Sequence, residues 1–117
     1  MKTGIIIGIS VGVMGLMVFS TSAQSFELFN GDTINKVDIN NLKQGHWRIL
    51  NATKKLPEYT DDQLVEEGDY QEGRKTGIWK KYFPNGKPES EITFMNNRPE
   101  GYDKMYYDNG NLKEEGI

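Results

Sequence analysis

The chain contains no cysteine and one histidine, His46. Without cysteine there is no disulfide scaffold, no Cys-zinc site, no thiol nucleophile and no lipoprotein processing. A lone histidine assembles no His-based metal cluster, and no nucleophile elbow accompanies it to build a conventional triad. Basic charge is scarce too: 14 Lys and Arg stand against 17 Asp and Glu, a net charge of −3. Phosphate backbones demand a basic surface, so nucleic acid is not an expected ligand. No Gly-rich phosphate loop and no dinucleotide fingerprint appears. At 117 residues the chain has the length of one small domain.

Long apolar runs are confined to the N-terminus. Lys2 is followed by 16 uncharged residues, Gly4 to Phe19, and then by the small, polar Ser20-Thr21-Ser22-Ala23. That order is the n-region, h-region and cleavage site of a secretory signal, with cleavage before Gln24. The reading is an apolar signal helix in residues 1–23 and export to the periplasm or the extracellular medium. The rival is an uncleaved membrane anchor, because Gly4, Gly8 and Gly12 form a small-xxx-small series. Without residues 1–23, whose only charged side chain is Lys2, the chain carries 13 basic and 17 acidic groups, net −4. Residues 4–19 are therefore the only credible membrane element.

The rest is organised by a repeat of 24 residues. At that shift Gly77 falls on Gly101, Tyr82 on Tyr106, Phe83 on Tyr107, Asn85 on Asn109 and Gly86 on Gly110. Glu66-Glu67-Gly68 maps by two periods onto Glu114-Glu115-Gly116, with Ser90-Glu91-Ile92 between them. Gly45-His46-Trp47 echoes Gly77-Ile78-Trp79 at a separation of 32, which implies eight extra residues near Asn51 to Gln63. Asn30-Gly31 reads as the turn of a degenerate earlier unit. The domain is 24–117, with units near 26–44 (degenerate), 45–76 (with the insertion), 77–100 and 101–117 (incomplete).

Each unit reads as a β-hairpin: an apolar and charged strand over Ile78 to Phe83, an Asn85-Gly86 turn supplying positive φ angles, and a return strand over Glu89 to Phe94. On the return strand Ser90, Ile92 and Phe94 share one face. One turn of helix is conceivable at Asp61 to Leu64. A lone hairpin is marginal in water, so the units must pack their aromatic side chains together. Trp47, Trp79, Tyr82 and Tyr106 are read as that core, and Gly77, Asn85, Gly86, Gly101, Asn109 and Gly110 as the backbone positions that shape the units.

Residues Glu72-Gly73-Arg74-Lys75-Thr76-Gly77-Ile78-Trp79-Lys80-Lys81-Tyr82-Phe83-Pro84-Asn85-Gly86-Lys87 resemble a MORN-type repeat of the MORN-2 variety, as do Asn97 to Gly101 with Tyr106 to Gly110. Bacterial chains of this kind resemble the YwqK-family antitoxin-like proteins. The resemblance implies an elongated, all-β antiparallel sheet of successive hairpins, with no catalytic residues and no cofactor. The chain departs from the pattern where Asp103 replaces the expected aromatic.

The residues themselves supply little chemistry. His46 occupies a position that takes Ile78 and Tyr102 in other copies, as a variable strand position would. Glu66-Glu67 and Glu114-Glu115 are adjacent strand residues and point to opposite faces. Glu67, Glu91 and Glu115 align at 24-residue spacing, as an acidic row among lysines. Asp32 to Asp38 and Asp108-Asn109-Gly110 carry turn residues and lack the ligand order of an EF-hand loop. Asn51-Ala52-Thr53 is a glycosylation sequon by pattern. The expected function is a non-catalytic module that binds a protein partner in the cell envelope or outside the cell. Arg74, Lys75, Lys81 and Arg98 are the partner-binding candidates, with Lys80 and Lys104 beside them, and exposed strand edges offer edge-to-edge self-association. The alternatives are an antitoxin or immunity protein that masks a toxin, and a membrane-anchored envelope scaffold.

Overall fold

The computed structural model describes residues 5–9 and 23–116. Their strands form one antiparallel sheet in sequence order: β1 (Ile5–Ile9), β2 (Ala23–Phe29), β3 (Asp32–Val37), β4 (Lys43–Leu50), β5 (Leu64–Gln71), β6 (Arg74–Tyr82), β7 (Pro88–Met95), β8 (Arg98–Tyr106) and β9 (Leu112–Gly116). The eight strands from β2 onward are the all-β sheet of hairpins that the repeat implies. Of the expected N-terminal apolar helix, only the backbone of Ile5–Ile9 is described, as a strand beside β2. The rest of that segment, and most of the proposed cleavage region, lies outside the described residues. Among the described residues no helix is long and apolar enough to cross a membrane.

Two kinds of turn alternate from β5 onward. The tight ones, Glu72-Gly73 and Asn96-Asn97, have positive φ at both central residues, the type I′ geometry that matches strand twist. The wide ones run from Phe83 to Lys87 and from Tyr107 to Asn111. In each, the first residue's N–H donates to the last residue's carbonyl, and the glycine N–H donates back to the first carbonyl. Asn85 therefore does not take the positive φ expected of it; only Gly86 does, at +87°. The Asn85 side chain instead accepts from Lys87 N–H at 2.9 Å. Asn30-Gly31 is likewise a tight turn, with φ of 52° and 84°, and the Asn85-Gly86 type recurs instead at Asp38–Leu42.

Gly77 explains the repeat's most regular feature. It sits four residues after a tight turn with φ of +73°, inside β6. There the pairing slips: Glu67 faces Lys80 but Asp69 faces Thr76, so Gly68 alone stands opposite the three residues between them. The bulge twists the strand and swings Trp79 over Gly68. Gly101, with φ of +94°, makes the same slip between β8 and β7.

The 13-residue connection between β4 and β5 holds the insertion. Its helical turn is α1, Asn51–Lys54, rather than Asp61 to Leu64. Asn51 is the reason. Its buried amide donates to the carbonyls of Leu56 and Tyr59 and accepts from Leu56 N–H, so it replaces the solvent that the turning backbone would need. With both amide hydrogens engaged inside the loop, the sequon at Asn51 is closed to glycosylation in the folded chain. Tyr59 and Gln63 then hook the loop to the next turn through the carbonyls of Tyr82 and Pro84.

The molecule is a single layer, 54 × 30 × 24 Å. Among apolar side chains, Ile34, Val65 and Trp79 are buried. Trp79 carries the tightest packing: its indole N–H donates to Asp69 O at 3.0 Å, and its ring meets Tyr70 edge-on at 5.0 Å. Tyr70 in turn meets Trp47 edge-on at 5.6 Å. Tyr82 and Tyr106, expected in the same aromatic core, point the other way: Tyr82 is an odd three positions from Trp79 on its strand, and the register puts Tyr106 on the face of Tyr82. They are half-buried on the opposite side.

Candidate functional site

The β4–β5 register sets His46 opposite Asp69 and Arg48 opposite Glu67, all four on the face away from Trp79. His46 Nδ1 lies 3.0 Å from Asp69 Oδ1, and Nε2 lies 3.0 Å from Glu67 Oε1. Carboxylates only accept, so the two contacts are satisfied together only when both ring nitrogens carry protons, and the pair favours the cationic imidazole. Burial of the ring opposes that charge, but the bonds to Asp69 and Glu67 outweigh it and hold the His46 pKa above its ordinary value. Burial likewise pushes Glu67 up, while bonds from Tyr82 and His46 prevail and leave its pKa lowered. Tyr82 O–H donates to Glu67 Oε2, and its own pKa is pushed well up by burial and by that bond. Arg48 completes the cluster, 3.6 Å from Glu67 and stacked 4.0 Å above the Phe29 ring.

A groove of about 590 Å³ opens beside this cluster, lined by Phe29, Ile34, His46, Arg48 and Glu67 among others. It exists because β4 parts from β3 after Gln44 and joins β5. Asn35, with φ of 52°, spans the gap. Its amide accepts from Arg48 N–H at 2.7 Å and donates to Arg48 O at 3.0 Å, doing what a paired strand residue would do.

While protonated in this clasp, His46 has no free lone pair to act as a general base or a metal ligand. Its effect is on stability. A histidine whose folded pKa is raised adds stability that is fully present below pH 6.5, its ordinary value, and is lost as pH rises through the folded value. Glu67, with its pKa lowered, adds stability that is lost as pH falls through its folded value. Thermal melts from about pH 3 to about pH 9 should show both declines, and His46→Gln should flatten the alkaline one.

The other face carries the aromatic ladder, and two of its lysines are held over the rings. Lys43 lies 5.0 Å from the rings of both Trp47 and Tyr70. Lys75 lies 4.4 Å above Trp79 and 4.9 Å from Phe94, and 3.8 Å from the buried Glu66, which also pairs with Lys54 at 2.8 Å. The four partner-binding candidates therefore do not make one patch. Lys75 is packed on the ladder face and Lys81 is exposed beside it, while Arg74 and Arg98 are exposed on the His46 face.

On the His46 face the register aligns one row across six strands: Arg48, Glu67, Lys80, Glu91, Lys104, Glu115. The acidic row read from the 24-residue spacing is thus an alternating one. Large apolar side chains flank it, with Ile78 57%, Tyr102 45% and Leu112 47% exposed.

Two stretches match the MORN repeat variant, residues 75–96 and 99–117. They coincide with the hairpins β6–β7 and β8–β9. MORN repeats are commonly protein-binding modules, and the repeat fold is typically non-catalytic. No curated protein and no solved structure matches the chain.

The sequence reading missed the His46 clasp. The signal was there: His46 and Arg48 are two apart, Glu67 and Asp69 are two apart, and the repeat alignment pairs their strands. Treating His46 as one variable position, compared along the chain, hid its partners across the sheet.

Proposed function

We propose that the chain is a non-catalytic binding module, exported to the cell envelope or beyond, that engages a protein partner through the His46 face of β6–β9. One observation carries this reading: Ile78, Tyr102 and Leu112 lie exposed on a single face of a one-layer sheet, within the segments that match a repeat commonly used for protein binding. Exposed apolar side chains gathered on one face among charges mark interaction surfaces. Arg74 and Arg98 supply part of the rim, and the ladder face, with Lys43 and Lys75 held over its rings, is the scaffold.

The test places a photo-crosslinking residue at Ile78 or Tyr102 of the full chain in the cells that make it, with Lys81 on the opposite face as control. Support is a discrete crosslinked protein species from Ile78 and Tyr102 and none from Lys81. Equal labelling from both faces, or none from either, overturns the reading.

A further inference from the structure

The partner chemistry can be specified further, on the footing of that proposed face. Across β6–β9 the charged row reads Lys80, Glu91, Lys104, Glu115, one charge per strand, alternating in sign, with Lys80 and Glu115 exposed and Glu91 and Lys104 half-buried. Arg48 and Glu67 continue it but are occupied by Phe29, His46 and Tyr82. An alternating row of four has a property that a row of three or five lacks. Reversed end for end, it presents the opposite sign at every position.

We infer that the face of β6–β9 is self-complementary and that its occupant is a second copy of the chain, stacked face to face about a twofold axis parallel to the strands between β7 and β8. That axis sets Lys80 opposite the second copy's Glu115, and Glu91 opposite its Lys104. The same operation keeps the exposed apolar side chains off the charges. Tyr102, one same-face position along from the row, meets the second copy's Thr93. Leu112, on the other flank, meets its Tyr82. Each charge of the row stays beside the opposite charges of the neighbouring strands and gains one across the contact. A twofold contact is isologous and closes on itself, so it yields a dimer and not a fibre. Charge pairs that stay partly hydrated set register and salt dependence more than affinity, so the dimer is weak and dissociates at high ionic strength.

Edge-to-edge association, the other route to self-assembly, pairs backbones and does not depend on the sign of this row.

The absence of native cysteine makes the test clean. Two differently tagged full-length chains are co-expressed, one carrying Thr93→Cys and the other Tyr102→Cys, and treated with a bismaleimide reaching about 10 Å, the spacing of stacked sheets. A mixed-tag crosslink is expected, with none when Lys81→Cys replaces either partner. Reversing charges to an all-acidic row (K80E/K104E) in both chains should reduce the crosslink about tenfold, as should an all-basic row (E91K/E115K). Combining one all-acidic with one all-basic chain should restore it. That restoration also shows that the variants fold. No mixed-tag crosslink, one that appears equally from Lys81→Cys, or one indifferent to charge reversal overturns the proposal. A different protein captured at Ile78 and Tyr102 without copy-to-copy crosslinking overturns this inference and leaves the binding-module reading standing.

Discussion

Gly68→Ala should be among the most damaging single substitutions in the chain, although it adds one methyl group. A Cβ at Gly68 would stand 2.3 Å from Cδ2 and 2.4 Å from Cε2 of Trp79. The ring cannot swing aside. Its N–H is tied to Asp69 O, its edge is against Tyr70, and Lys75 lies over it. The clash therefore has to be relieved by moving β6 off β5, which opens the bulge at Gly77. Overpacking typically costs about 1–3 kcal/mol, and this site belongs at the top of that range or beyond. Chemical denaturation of the purified variant against the parent chain measures it. A loss under about 1 kcal/mol would mean that Trp79 does not lie across Gly68.

Trp79→Ala is the complementary case and should cost about 3–5 kcal/mol, the range for removing a buried aromatic. In a sheet with one layer and so few buried apolar side chains, that is a large part of the total stability of a small domain. The loss is more than area. Asp69 O is left without its donor, Tyr70 loses an edge contact, and Lys75 loses one of the two rings it sits over. Combining the two substitutions separates their causes. Once the indole is gone, the three atoms nearest to an alanine Cβ at Gly68 go with it, so the double variant should be less destabilised than the sum of the singles by at least about 1 kcal/mol. Strict additivity would place the two effects in different parts of the molecule.

Much of the architecture was legible because hairpins are local. The 24-residue repeat, the identity of the strands and the sharing of a face by Ser90, Ile92 and Phe94 all follow from spacing that the chain carries along itself. Turn types were less so. Asn85-Gly86 and Asn30-Gly31 share a dipeptide yet adopt different turns: the Asn85 side chain accepts from Lys87 N–H, as Asn109 does from Asn111 N–H, whereas Asn30 takes the positive φ itself. The aromatic core was half legible: the sequence marks Trp79 and Tyr82 as large and repeated, but strand parity, not size, decides which side each takes. Asn51 was invisible as an organiser because its partners are backbone carbonyls, which no side-chain pattern announces. The candidate surface was legible as charge and not as geometry. Lys75 reads from sequence like Arg98, and only the register shows one lying over two rings and the other at the rim.

The strand order carries a mechanical consequence. Every strand pairs only with its neighbours in sequence, from β1 to β9, and the turns hook to one another along the sheet through such bonds as Asn85 to Asp108 O and Asn97 N–H to Lys75 O. Among the described residues no distant strands clamp the ends together. Tension applied at the two ends would therefore never load the sheet in shear; it would peel one strand at a time, each release rupturing only the bonds to the next. Such a ribbon yields under tension gradually rather than all at once, and re-forms by local closures when the tension is released.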